Sequence, residues 1–234
     1  MSILWCDLET TGLRPKKDSI IEIALVLTDD DLNEIGEPFV SNVSPLALRG
    51  YEMMDDYVRN MHRNNGLLAE LYDIEALERG EIPTAALKSD IPRCWDVEKE
   101  AIAWFKMQMR HVHREKGVDV DALGAKDVAK LLREPPFGGS SVHFDRGFLS
   151  EHMSDFEALL NHRHLDVSCF NEAGKRWGEK TYRRRPGLDA SGKPVPAHRA
   201  LDDIRASIET MRYYREHITW RISFEEGRDW ERVS

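Results

Sequence analysis

The sequence is poor in the features that mark several protein classes. It holds three cysteines in 234 residues, Cys6, Cys94 and Cys169, and no Cys-x-x-Cys pair. An odd, unpaired set argues against a disulfide framework and against a zinc knuckle, and reads as free thiols in a reducing compartment. No stretch approaches the ~20 consecutive apolar residues of a membrane-spanning helix. The opening Met-Ser-Ile-Leu-Trp-Cys-Asp has no basic stretch and meets an acid at Asp7. Neither a signal peptide nor a membrane partner is expected, and the expected location is cytoplasmic. Internal repeats and low-complexity tracts are missing. Positive charge is short as well: 33 Lys plus Arg stand against 42 Asp plus Glu, a formal net charge of −9. Proteins that hold long duplex nucleic acid usually carry a net positive field. The acid excess speaks against that class unless a local basic patch or bound cations supply the charge.

What is present describes a folded chain. Hydrophobic residues make up 41% and charged residues 32%, too apolar for a disordered polymer. At this length one α/β domain, or one domain with an insertion, is expected, with a core large enough to need no staples. Residues 2–8 read as a strand, turned by Thr10-Thr11-Gly12-Leu13-Arg14-Pro15. Residues 20–28 (IIEIALVLT) read as a second strand, and residues 35–43 as a third, beyond the Asp29-Asp30-Asp31 turn. The chain thus opens as an antiparallel meander.

Helices are expected next over residues 55–61, 66–77 and 95–113. In the last, Ile102, Phe105, Met109 and Val112 form one apolar stripe. A short helix over 118–133 closes at Pro135-Pro136, and a strand over 138–144 leads into Asp145. Phe148, Leu149, His152, Met153 and Phe156 keep a helical rhythm. A short strand over 165–168 precedes a helix to about Trp177. Residues 178–197 form the one long loop, rich in Gly, Pro and Arg and containing Tyr182-Arg183-Arg184-Arg185-Pro186. A last helix spans 199–217, with Leu201, Ile204, Ile208 and Met211 on one face.

Three places put carboxylates where a structural role alone is uncomfortable. Asp7 and Glu9 close an apolar strand, and residues two apart on a strand share a face, so their charges repel unless a cation lies between them. Asp145 follows Ser-Val-His-Phe at a strand-to-helix transition. His198, Asp202 and Asp203 open an amphipathic helix. Singly, Asp145 and Asp202 could serve helix N-termini, where negative charge is favoured. Together, carboxylates on strand ends and helix starts could converge on two divalent cations. Mg²⁺ and Mn²⁺ take hard oxygen ligands and support two-metal phosphodiester cleavage. A nearby histidine suits the general base.

Asp7-x-Glu9-Thr10-Thr11-Gly12-Leu13, a distal Asp145, and His198 followed by Asp203 form an ordered set. That set resembles the DEDDh 3′-to-5′ exonuclease family. Asp18-Ser-Ile-Ile-Glu-Ile-Ala, Asp145-Arg146-Gly147-Phe148-Leu149, Arg163-His164-Leu165-Asp166-Val167-Ser168 and Tyr213-Tyr214-Arg215-Glu216-His217 are similar to its oligoribonuclease branch. The resemblance implies an α/β ribonuclease H-like fold, a mixed β-sheet flanked by helices on both faces. It implies metal-binding carboxylates at Asp7, Glu9, Asp145 and Asp203, a general base at His198, and Mg²⁺ or Mn²⁺ as cofactors. It implies substrate contacts at Leu13 (a wedge against a base), Tyr57, His62, Asn65 and the adjoining Gly66-Leu67. His162, Arg163 and Ser168 fall on the side that meets the 5′ phosphate, with Arg163 and its neighbour reaching across a homodimer. The implied partner is short single-stranded RNA, with DNA as an alternative.

The chain departs from the family pattern in several places. Tyr57 stands for the usual tryptophan, Asn65 for a small serine, and His162 for a tyrosine. An extra stretch lies within about 80–136, and the Arg183–Arg185 loop is unusually basic. Residues 1–222 are expected to form one exonuclease domain carrying that insertion, and 223–234 a charged tail. The leading expectation is hydrolysis of short RNA to nucleoside 5′-monophosphates. A broader exonuclease on single-stranded DNA or longer RNA is the second. A non-catalytic module on the same fold is the third, disfavoured because the full carboxylate and histidine set is present.

Overall fold

In a computed structural model the chain builds one five-stranded mixed sheet with helices on both faces. The structure describes residues 1–45, 50–193, 195 and 197–218; the charged tail at 223–234 lies outside them. The strands are β1 (Ser2–Thr10), β2 (Ile20–Asp29), β3 (Phe39–Asn42), β4 (Phe137–Gly139) and β5 (His164–Asp166). Their order across the sheet is β3-β2-β1-β4-β5. β1 pairs antiparallel with β2, and β2 with β3; β4 and β5 join in parallel.

The helices are α1 (Asp56–Asn64), α2 (Leu67–Leu71), α3 (Ile74–Glu78), α4 (Pro83–Ala86), α5 (Cys94–Glu115), α6 (Ala125–Leu132), α7 (Val142–His152), α8 (Ser154–Glu157), α9 (Val167–Trp177), α10 (Glu179–Tyr182) and α11 (Ala200–Ile218). Among the described residues no helix is long and apolar enough to cross a membrane.

The alternation along β1 decides where the site forms. Leu4, Cys6 and Leu8 join Leu25, Phe105, Met109, Phe148 and Leu149 in a core under α5 and α7. Ile3 and Trp5 point the other way, into a core with Ala24, Val26, Ile204, Ile208 and Tyr214 under α11. Side chains alternate along a strand, so the odd-numbered set runs on into Asp7 and Glu9. Both carboxylates therefore leave the sheet on the α11 face, just past the last apolar layer.

Several expected boundaries moved, each for a local reason. β3 is shorter than expected: Gly36 takes φ +66°, and Pro38 has no N–H to give a ladder. The expected 138–144 strand ends at Gly139, where an added Cβ would lie 2.8 Å from the Cys6 carbonyl oxygen. Ser141 then turns left-handed (φ +60°) and α7 begins at Val142, so Asp145 sits in the first helical turn. The expected 66–77 helix breaks in two, because Asp73 caps α3 by accepting from Ala76 N–H at 3.1 Å. Ser168 belongs to the first turn of α9, where Asp166 accepts its N–H. The free thiols are buried at Cys6, half-buried at Cys94 and exposed at Cys169.

Candidate active site

The site is assembled from the odd face of β1, the head of α7 and the head of α11. Asp7, Glu9 and Asp203 each offer a carboxylate oxygen, and these lie within 4.8 Å of one another. Asp203 comes in because Ile204 and Ile208 anchor α11 against the sheet, which leaves its first turn beside the end of β1. Ala197 N–H donates to Asp203 Oδ1 at 3.0 Å and fixes that carboxylate. Opposite Asp7 in the register stands Ala24, a small neighbour.

Asp145 is buried next to this trio and not within it. Its Oδ1 accepts the Leu8 N–H at 3.1 Å, and its charge acts on Asp7.

The electrostatics are those of crowded anions, offset in part at Glu9 by the Arg199 charge. Burial, then the charge of Asp145, pushes the Asp7 carboxyl well above the usual range. Burial and the Asp203 charge raise Glu9 to about 8. Burial raises Asp145 to about 7, against the hydrogen bonds that favour its ionised form. Asp203 is raised as well, by burial, with the Ala197 N–H and His198 opposing. Desolvation and like charge are the two causes that disfavour ionised carboxylates. Hard divalent cations would remove both, and an all-oxygen donor set of this kind suits Mg²⁺ or Mn²⁺.

His198 is half-buried two residues before α11 and adopts φ +53°, an uncommon conformation for a residue with a Cβ. Two contacts hold the loop there. The Asn65 side-chain amide donates to the His198 carbonyl oxygen. Arg199 pairs with the buried Glu22, Nη2 to Oε1 at 2.7 Å, and with Glu70, Nη1 to Oε1 at 2.8 Å. A cavity of about 420 Å³ is lined by Tyr57, Asn60, Asn65 and His198.

The turn after β1 is built around Asp18. Its carboxylate accepts Arg14 N–H at 2.8 Å and presses so closely on Gly12 that a Cβ there would lie 2.7 Å away. The closed turn presents Leu13, 77% exposed; Tyr57 is 73% exposed. Both are large apolar surfaces open to solvent.

The remaining expected residues fall in different places. His62 is fully buried. Its Nε2 bonds the Thr10 carbonyl at 3.0 Å and its Nδ1 lies 3.9 Å from Glu9 Oε2. It thus sits behind Glu9 and opens to no cleft, and burial pulls it below the usual imidazole range. Ser168 stands at the site end of β5, with its Oγ 2.6 Å from Ser141 N and 3.0 Å from Ser141 Oγ.

His162 and Arg163 lie at the opposite end of the sheet. His164 is level with Phe137, and Phe137 with Leu4. Asp7 is therefore about 10 Å further along β1 and two strands across. There His162 and Arg163 line a cavity of about 800 Å³ with Lys126, Lys130 and Arg133.

Two contributors were not singled out in the sequence: the Glu22–Arg199 pair and left-handed Ser141. A lone acid within the apolar run Ile20-Ile21-Glu22-Ile23 was the one legible signal among them.

Comparison with known proteins bears on the family and the fold. An exonuclease family model, of the RNase T type, matches residues 4–72. An oligoribonuclease of Thiobacillus denitrificans is 34% identical over 217 residues, covering 92% of this chain and 94% of the relative. One of Streptomyces avermitilis is 35% identical over 216 residues, covering 92% and 86%. In fold the chain is similar to E. coli exonuclease I. Against its zinc-bound complex with single-stranded DNA the TM-score is 0.54 at 16% identity, covering 92% of this chain and 41% of that one. Against the complex with a dA16 oligonucleotide it is 0.52 at 17% identity, with 92% and 41% covered. The chain thus spans well under half of exonuclease I, and that likeness is one of fold.

Proposed function

The chain belongs to the oligoribonuclease family of DEDDh 3′-to-5′ exonucleases, and from that premise we propose how its residues divide the work. It is a 3′-to-5′ exoribonuclease of short RNA on a ribonuclease H-like fold. The observation that carries the assignment of residues is the meeting of Asp7, Glu9 and Asp203 within 4.8 Å, with His198 at the head of the same helix as Asp203.

Asp7, Glu9 and Asp203, with Asp145 beside them, would hold two divalent cations, Mg²⁺ or Mn²⁺. When bound, such cations supply charge neutralisation on the scissile phosphate and a more acidic water. His198 takes a proton from the attacking water onto a ring nitrogen. The water oxygen bonds to phosphorus as the P–O3′ bond breaks; the O3′ leaves with the electron pair and takes up a proton. A nucleoside 5′-monophosphate is released from the 3′ end. Leu13 and Tyr57 offer apolar and aromatic faces to the terminal bases, which need only a π-face to stack on. His62 supports Glu9 from behind. Ser168, with Ser141, faces the phosphate on the β5 side.

The position of His162 and Arg163, away from their own chain's carboxylates, supports a homodimer in which they reach the 5′ phosphate in the partner's site. The short substrate also fits the net charge of −9, since few phosphates need neutralising. A cytoplasmic location completes the reading.

A second reading, an exonuclease acting on longer RNA or single-stranded DNA, is favoured by one feature. The cavity of Lys126, Lys130, Arg133 and Arg163, which also includes Glu134, offers phosphates more cations than acids.

One assay tests both readings: metal-dependent release from the 3′ end across RNA and DNA of two to twenty nucleotides. Asp7→Ala and His198→Ala are expected to abolish release. Full activity in either variant would sink the residue assignment, and equal rates on two and twenty nucleotides would favour the broader substrate range.

A further inference from the structure

The sequence set one motif apart that the reaction above does not use, the run Arg183-Arg184-Arg185 after α10. The structure separates its members. Arg183 stays outside and pairs with Glu179, Nη2 to Oε1 at 2.7 Å. Arg184 is exposed as well. Arg185 turns inward and is only 8% exposed. Its guanidinium lies 5.0 Å from the Tyr182 ring centroid, and its Nη1 donates to the Pro186 carbonyl at 3.1 Å. Its Nε is buried and has no hydrogen-bond partner among the described residues. Among the described residues no carboxylate pairs with it.

A buried, always-charged guanidinium without an anion is costly. Evolution places such groups where an anion arrives, and the fork of the guanidinium matches phosphate oxygens. Arg185 lines a cavity of about 330 Å³ whose wall also includes Asp7, Asp203, Ser140 and Asn171. Two of the proposed metal carboxylates and one unpaired cation therefore border the same space. Among the described residues the guanidinium's one hydrogen bond, from Nη1 to the Pro186 carbonyl, leaves the Nε–H without an acceptor.

We infer that Arg185 is a phosphate-anchoring residue of the active site, one that grips the non-bridging oxygens of the substrate phosphodiester and of the nucleoside 5′-monophosphate product. This rests on the exonuclease reading and deepens it by assigning a substrate contact to the basic loop. Arg183 and Arg184 have no such role.

The test uses the full chain with Arg185→Met, which keeps an apolar stem against Tyr182, and Arg185→Lys, which keeps charge without the fork. KM and kcat are measured on a pentaribonucleotide with Mn²⁺. Affinities for AMP, inorganic phosphate and adenosine are measured alongside. Hydrogen bonds to charged groups predict a KM about 10- to 100-fold higher in Arg185→Met. Its kcat should stay within about threefold of wild type, since the anchoring acts on bound phosphate before and during reaction. Arg185→Lys should restore part of the loss. AMP and phosphate binding should weaken in parallel, while adenosine binding should not change.

Wild-type KM and AMP affinity in both variants would overturn the assignment, as would equal weakening of AMP and adenosine. If Arg185→Met fails to fold, Arg185→Lys decides alone: a KM raised at least threefold supports the anchor, and a wild-type KM overturns it. If the unmutated chain cleaves no RNA, the exonuclease reading fails. The AMP and adenosine affinities of the variants then still judge Arg185.

Discussion

Arg199 clamps Glu22. Its Nη2 and Nε lie 2.7 and 3.1 Å from Glu22 Oε1, and the next residue, Ala200, donates its N–H to Oε2 at 2.9 Å. Glu22 sits directly opposite Glu9 on the neighbouring strand and is 1% exposed. Without Arg199 a second bare carboxylate would face the site from inside the protein. Arg199→Ala should therefore cost about 3 kcal/mol of stability, the low end for breaking a buried pair, because Arg199 itself reaches solvent. Urea unfolding measures it. A loss under about 1 kcal/mol would show that the clamp contributes little.

His198 occupies a left-handed conformation that asparagine tolerates better than alanine. His198→Asn should keep the loop in place and remove only the base. The kcat should fall by about 10²- to 10⁴-fold, the usual contribution of general acid–base catalysis. The melting temperature should stay near that of wild type. A kcat within a factor of a few of wild type would move the base elsewhere.

The raised carboxylates predict an unusual pH dependence in the metal-free chain. Glu9 at about 8 and Asp145 at about 7 bind protons more tightly folded than unfolded. The stability this gives is complete below the ordinary carboxylate range and is lost as pH rises through 7 and then 8. In EDTA the melting temperature should fall between about pH 5 and about pH 8.5, and the Glu9→Gln chain should show a shallower fall. Added Mn²⁺ should stabilise most at the alkaline end, where it no longer competes with protons. A metal-free melting temperature that rises across the window would contradict the cluster's electrostatics.

The separation of Arg163 from its own chain's Asp7 can be tested by mixing. Asp7→Asn and Arg163→Ala chains should each be inactive on a dinucleotide. Their mixed dimers would contain one complete site, built from Asp7 of one subunit and Arg163 of the other. Co-refolded in equal amounts, they should regain about a quarter of wild-type activity, because half the dimers are mixed and each has one good site of two. No recovery, with dimers confirmed by light scattering, would place Arg163 outside the partner's site.

Tyr57 is open to solvent on the cavity that reaches His198. Losing one base-stacking surface costs about 1–3 kcal/mol, so Tyr57→Ala should raise the dinucleotide KM by about tenfold or more. Tyr57→Trp should keep or lower it. An unchanged KM in Tyr57→Ala would remove the aromatic wall from the proposal.

Much of the fold was legible because local pattern and tertiary role coincide. The apolar run of β2, interrupted only by Glu22 before Thr28, announces a strand covered on both faces, and the stripe of α5 announces a helix on a core. Other boundaries depended on contacts that pattern does not carry. Gly138 and Gly139 are needed where β4 passes close to Trp5 and Cys6, and that crowding ends the strand before the apolar pattern does. The family resemblance implies a substrate contact at His62, yet α1 turns it inward against Thr10 and Glu9.

The sequence by itself determined the chemistry on offer: two acids sharing one face of β1, a distant Asp145, and a histidine five residues before Asp203. A strand's period of two dictates the first pair whatever the rest of the chain does. Only the tertiary structure decided which groups meet. It brings Asp203 to Asp7 and Glu9 while Asp145 gives an oxygen to Leu8 N–H. It pairs Arg199 with Glu22 and leaves Arg185, of three adjacent arginines, buried and with no carboxylate partner among the described residues. Distances between remote segments come from packing, and the sign of a side chain's charge does not reveal whether a partner is within reach.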